Sequence, residues 1–189
     1  MLWFIGLLLI TNGLQHYSWN CKKSQDEFVP FHVTFVHFTH LMLSGLVYLS
    51  YLSFTNLLPY SWMLPLHVLG VFGYSNVWFY VSHRLFHTKL FYKYHVLHHS
   101  VPNPPPLATF YCSLIEHILV NTGTFIIPLI LIPLPYELNL LWTWIIVFKS
   151  TNAHMGTLNK NDHHYRHHKN PLYNFGAKPF VDVIFGTYK

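Results

Sequence analysis

The fold class this sequence predicts is all-α: a polytopic membrane bundle of four or five apolar helices, with a histidine-rich cap on the cytosolic side. Three observations predict it. Apolar residue types make up 52% of the chain and charged types only 9%, whereas an average soluble domain carries about 25% charged residues. The apolar residues gather into long runs parted by proline and short polar joins. Histidine occurs 16 times in 189 residues, mostly just beyond the ends of those runs. A surface so poor in charge would aggregate in water, so much of it is expected to face lipid. The length fits a single domain, 1–189.

The elements follow in order. Residues 2–14 are apolar but fall short of the about 20 residues a spanning helix needs. No A-x-A-like cleavage site follows, so the stretch reads as a short or tilted first helix rather than a signal sequence. Residues 31–58 form a long span, 62–82 another, and 107–134 with 136–150 a final pair. Pro133 and Pro135 part that pair, because proline lacks the amide donor a helix interior needs. Residues 100–106 (SVPNPPP) form a stiff connector. Residues 1–74 are thus N-terminal membrane helices, and 75–189 carry the histidine clusters. With five crossings, or with the last pair re-entrant, all eleven Lys and Arg residues fall on one side, which the positive-inside rule makes cytosolic. The net charge of +5 therefore reads as orientation. No basic stripe or RNA-binding signature points to a nucleic-acid partner. Two cysteines, Cys21 and Cys112, cannot make a disulfide framework.

Three clusters carry the chemistry: His83 and His87 in SHRLFH; His95, His98 and His99 in YHVLHHS; and His163, His164, His167 and His168 in DHHYRHH. Residues three and four apart share a helix face, so each cluster is expected to aim two or three imidazoles at one point. Neutral imidazole is the commonest metal ligand and suits iron, copper and zinc. Adding His154 (in NAHMG), nine ligands exceed what one ion binds, and two adjacent ions follow. The expected ligands are His83, His87, His95, His98, His99, His154, His164, His167 and His168. His163 is left over, because His164 already completes the i, i+3, i+4 triad. His16, His32, His37, His40, His67 and His117 read as structural. Asp162 and Asp182 read as partners for a ligand's second ring nitrogen, or equally as helix caps. The scarcity of acids in the clusters argues against the carboxylate-rich soluble di-iron bundle.

The order HRLFH, HVLHH, HHYRHH resembles the fatty acid hydroxylase/sterol desaturase superfamily, whose pattern is HxxxH, HxxHH and HHxxHH. The resemblance covers about residues 75–189. Asn174-Phe175-Gly176 followed by VDVIFGT resembles the family's closing NxG and WDxxFGT, with Val181 in place of tryptophan. His154-Met155-Gly156 resembles a His-x-Gly of sterol-type members. In the segment Tyr111–Glu116, Ser113 stands where the family usually has histidine. The resemblance implies two iron ions and O₂, hydroxylation or desaturation of a sterol or fatty-acyl lipid entering from the bilayer, and an integral location in the endoplasmic reticulum. With no HPGG haem-binding segment, electrons are expected from NAD(P)H through a separate reductase and a cytochrome b-type carrier. Zinc, which outbinds ferrous iron at nitrogen sites, can replace iron in recombinant protein.

Rival classes differ in what they need. A non-catalytic, degenerate metal-binding membrane protein is the alternative suggested by Ser113 and Val181. A metal transporter places its ligands near the bilayer midplane, not at the ends of spans. A zinc hydrolase lacks its HExxH here.

Overall fold

The computed structural model describes residues 2–22, 31–54, 61–101, 104–155 and 162–189, and every described element is helical or irregular. Lys23, Lys160, Gly156 of the His-x-Gly, the end of the 31–58 span and Pro102–Asn103 of the connector lie outside the described residues.

The first helix is longer than expected: α1 runs Leu2–Lys22, 21 residues. Its polar residues do not end it, because they find partners within the helix or in a neighbouring one. Asn12 Nδ2 donates to the Leu8 carbonyl at 2.8 Å, Gln15 Nε2 to the Phe148 carbonyl at 3.1 Å, and Thr151 Oγ1 to Gln15 Oε1. Those last partners belong to α8 (Tyr136–Ala153), against which α1 packs. Counting apolar residues alone misses a helix whose polar stripe is buried against a neighbour.

α2 spans Phe31–Phe54. Among the described residues its Phe31–Leu52 stretch is the one helix both long and apolar enough to cross a membrane. α3, Leu64–Phe86, carries Pro65 in its first turn, where the missing amide costs nothing. It continues one turn past the expected 62–82 segment, so His83 is helical and His87 caps its C-terminus. α4 covers Tyr92–His99.

The expected 107–134 helix is instead a series of short pieces. A 3₁₀ turn at Pro106–Ala108 precedes α5 (Leu114–Glu116), a π-helical stretch (His117–Thr122), α6 (Gly123–Phe125) and α7 (Ile127–Leu131). Helix begins only at Ser113, whose hydroxyl accepts the Glu116 amide at 3.2 Å. It is interrupted before Pro128. The turn between α7 and α8 falls at 132–135, as the prolines predict. At Gly123 a Cβ would lie 2.4 Å from Trp78 Nε1, so only glycine lets α6 approach α3 this closely.

The core is built from α1, α2, α3, α6, α7 and α8. Phe4, Leu8, Leu41, Tyr48, Val71, Phe125, Leu129, Leu140 and Val147 form one buried cluster, joined by Phe110. Each large side chain removed from water contributes about 1.5–3 kcal/mol. After α8 come two short helices, α9 (His163–Lys169) and α10 (Pro179–Ile184). α10 packs on α3 through Phe72–Phe180 and Tyr80–Phe185 stacking.

Candidate metal centre

Four elements deliver the imidazoles. α3 carries His83 and ends on His87; α4 carries His95, His98 and His99; α8 ends on His154; α9 carries His164, His167 and His168. α9 is only seven residues long, and Asp162 starts it. Asp162 Oδ1 accepts the His164 amide at 2.8 Å and the Tyr165 amide at 3.4 Å, a cap of about 1 kcal/mol. Asp162 therefore acts as a helix cap.

The nine histidines meet in two groups. His83, His87, His95, His99 and His167 bring their ligand atoms within 4.8 Å of one another, and His98, His154, His164 and His168 do the same. The chain triads do not each converge on one point, as their spacing suggested. His95 and His99 serve one group and His98 the other, while His164 and His168 serve the second and His167 the first. At about 100° per residue, i+4 lies some 40° from i but i+3 lies some 60° away on the other side. Each triad therefore straddles two centres.

The ring nitrogens facing inward are all Nε2. In the first group, contacts of 3.0–3.3 Å join His83–His95, His95–His87, His99–His95, His167–His87 and His167–His99. In the second, 3.1–3.2 Å contacts join His154–His98, His164–His154 and His168–His164. The tautomers of three rings follow from their other nitrogen. His83 Nδ1 lies 2.7 Å from the Phe175 carbonyl, His167 Nδ1 2.7 Å from the Tyr173 carbonyl, and His154 Nδ1 2.8 Å from the Ser150 carbonyl. A carbonyl only accepts, so each Nδ1 carries the proton and each Nε2 presents a lone pair. Lone pairs turned on one another repel, and a cation between them reverses the sign. The donor set therefore fits two imidazole-bound metal ions.

Burial keeps the rings neutral. It is the first cause that holds His99 at about 3 and His87 at about 2, with neighbouring imidazoles adding to it. His154 and His167 also fall, to about 4, where burial outweighs the carbonyl contacts that favour their protonated forms. Neutral imidazole is the ligating form.

The closing motif is a clamp on the first group. Asp182, fully buried, accepts the Phe175 and Gly176 amides, the Thr187 hydroxyl and His163 Nε2 at 2.7–2.8 Å. Burial opposes the charge, yet these four donors hold its carboxyl below the usual range. Asn174 adopts φ 60, a left-handed conformation asparagine tolerates, and its side chain bonds the Lys189 backbone twice. A Cβ on Gly176 would lie 2.7 Å from Asp182 Oδ2 and 2.9 Å from the Lys178 carbonyl. The folded clamp aims the Tyr173 and Phe175 carbonyls at His167 and His83. Val181, in place of the family's tryptophan, packs with Tyr80 and Phe175.

His163 stays outside both groups, on Asp182. His32, His37 and His67 also stand apart, against Tyr111, Phe110 and the Pro133 carbonyl. The residue sequence reasoning passed over is Glu116. It is buried, and its Oε1 lies 2.8 Å from His95 Nδ1, off the N–H axis, as an electrostatic contact rather than a well-formed hydrogen bond. The available signal was an acidic residue inside an apolar run, which is costly unless it has a task.

Residues 68–187 match the fatty acid hydroxylase family model. A C-4 methylsterol oxidase of Schizosaccharomyces pombe is 32% identical over 51% of this chain and 38% of its own length. Methylsterol monooxygenase 1 of Rattus norvegicus is 29% identical over 90% of this chain and 62% of its own length. A very-long-chain aldehyde decarbonylase of Oryza sativa is 30% identical over 70% of this chain and 56% of its own length. The chain thus spans between about two fifths and three fifths of these relatives. No solved structure matches.

Proposed function

The chain belongs to the fatty acid hydroxylase family, and from that premise we propose that it is a membrane-embedded di-iron oxygenase acting on a sterol methyl group or a related lipid C–H bond. The observation that carries the reading is the convergence of nine imidazoles as five and four, with Nε2 turned inward. Two of the three relatives are named for methylsterol oxidation, which favours a sterol over a fatty acid.

His83, His87, His95, His99 and His167 hold one ion, and His98, His154, His164 and His168 the other. When bound, paired ferrous ions supply the activation of O₂ and the oxidation of an unactivated C–H bond. The protein's part is geometry and dryness. The Phe175, Tyr173 and Ser150 carbonyls orient three of the rings, and Glu116 supports His95. Phe79 lies against both His83 (5.0 Å) and His164 (5.9 Å), an apolar wall shared by the two groups. Helices α1, α2, α3 and the α5–α8 hairpin form the membrane bundle in the endoplasmic reticulum, with the histidines facing the cytosol. Electrons come from NAD(P)H by way of a reductase and a b-type haem carrier.

The test is anaerobic loading of purified protein with ferrous iron, then lipid product analysis with methyl sterols and long-chain acyl lipids, NADPH, reductase and carrier. Two irons per chain and an oxidised sterol methyl group are expected. A folded preparation that binds neither iron nor zinc ends the reading. Metal without product under every lipid supplied favours the degenerate relative that Ser113 and Val181 suggest.

A further inference from the structure

We propose that α10 lies in the cytosolic leaflet of the bilayer, with its outer face against acyl chains. Counting basic residues puts everything after α8 in the cytosol, so this adds to the membrane bundle an element that the apolar runs do not mark. The proposal rests on the reading of the chain as membrane-embedded.

α10 has six residues, far fewer than the about 20 of a spanning helix. Its two faces differ. Val181 and Asp182 are buried, whereas Val183 and Ile184 are 60% and 73% exposed, and Phe180 and Phe185 43% and 53%. Four large apolar side chains left outward form a surface that calls for cover. Of residues 177–186 only Lys178 and Asp182 are charged, and Asp182 is turned inward. The outer face therefore offers little to a polar partner.

The position of α10 along α3 identifies the cover. Phe180 stacks on Phe72, with centroids 6.2 Å apart, and Phe185 on Tyr80, at 5.0 Å. α3 has 23 residues, about 35 Å at the helical rise, against a hydrocarbon core of about 30 Å. Phe72 lies near the middle of that length and Tyr80 toward the end that carries His83. α10 thus flanks the cytosolic half of α3. There α3 turns Leu69, Val77 and Val81 outward, and Phe72 is as exposed as Phe180, at 43%. The two apolar surfaces are continuous at that stacked pair, so the lipid that covers one covers the other. Lys178, exposed at the start of α10, carries the cost. Its aliphatic stem can lie on the apolar surface while the ammonium reaches the headgroups. Tyr188 and Lys189, both exposed, follow α10 and are residue types that anchor at a membrane interface.

Full-length protein in phosphatidylcholine vesicles tests this with a fluorescent label on Ile184→Cys, made in a Cys21→Ser background; Cys112 is buried and takes little label. Quenchers are lipids with a nitroxide high or low on the acyl chain, and aqueous iodide. Leu69→Cys, on the outer surface of α3, reports on the membrane reading alone. Both positions are so exposed that the substitutions disturb no packing. The label at 184 should be quenched several-fold more by the shallow nitroxide than by iodide, and the label at 69 more by the deeper one. Quenching of 69 by nitroxide with 184 open to iodide overturns the proposal and leaves the membrane reading standing. Shielding of 184 from both quenchers overturns it in favour of a protein cover. Failure of either nitroxide to quench 69 removes the membrane reading as well.

Discussion

The two histidine groups share a ligand chemistry but not a scaffold. In the five-histidine group, His83 and His167 lean on backbone carbonyls set by the Asp182 clamp, and His95 meets Glu116. In the four-histidine group, only His154 has a carbonyl anchor of that kind among the described residues. His164 Nδ1 closes no hydrogen bond among the described residues, and His98 Nδ1 faces the Tyr111 backbone without closing one. The difference teaches that, among the described residues, the first centre has two rings fixed by distant backbone carbonyls, whereas the second has one, fixed from within its own helix. The clamped group should bind its ion in a fixed geometry, and the looser group should adjust its rings more readily.

The largest effect should come from removing one ligand on each side. His167→Ala and His164→Ala should each cut the metal count and drop product formation by more than about 100-fold, beyond the 10–100-fold that an outer partner costs. Metal analysis and turnover check this. If the clamp matters, the ion remaining in His164→Ala should be held more tightly than the one remaining in His167→Ala. Equal retention would break the comparison.

Acid should act next. The folded rings of His154 and His167 stay neutral down to about 4, while an unfolded histidine takes its proton near 6.5. The folded state binds fewer protons, so its stability is full above about 6.5 and falls as pH drops toward 4. Each group has one such member, so both ions should leave over this same window in a titration followed by metal release. Release of one ion above pH 7 would show that anchoring, not proton competition, sets retention.

Asp182→Ala should separate the groups directly. It strands several buried donors, at about 1–3 kcal/mol each, and lowers affinity at the five-histidine group about 10–100-fold, with much less change at the other. Competitive chelation of the two ions measures this, with melting temperature as the stability readout.

The smallest effect is expected at Ser113→Ala. Its hydroxyl caps α5, so about 1 kcal/mol of stability should go with metal content unchanged. Loss of either ion would mean that this position supports the centre as the family's histidine is expected to do.

Much was legible along the chain because it depends on spacing. The i, i+3, i+4 triads, the prolines at 133 and 135 and the cap at Asp162 are local signals. The length of α1 was not, because Asn12 and Gln15 look like an end until α8 covers them. Nor was the breaking of residues 107–134 into a π-helical stretch and short pieces, which depends on Ser113, Pro128 and the close passage of Gly123 past Trp78.

By itself the sequence determined that this is a helical chain carrying nine candidate imidazoles, eight of them at i, i+3 or i+4 intervals, since helical periodicity and side-chain chemistry are properties of neighbours in the chain. Only the tertiary structure decided how those nine divide, that Glu116 and Asp182 stand behind the first group, and that His163 pairs with Asp182. Those outcomes depend on which residues distant in sequence come within about 3 Å, the range over which a hydrogen bond acts.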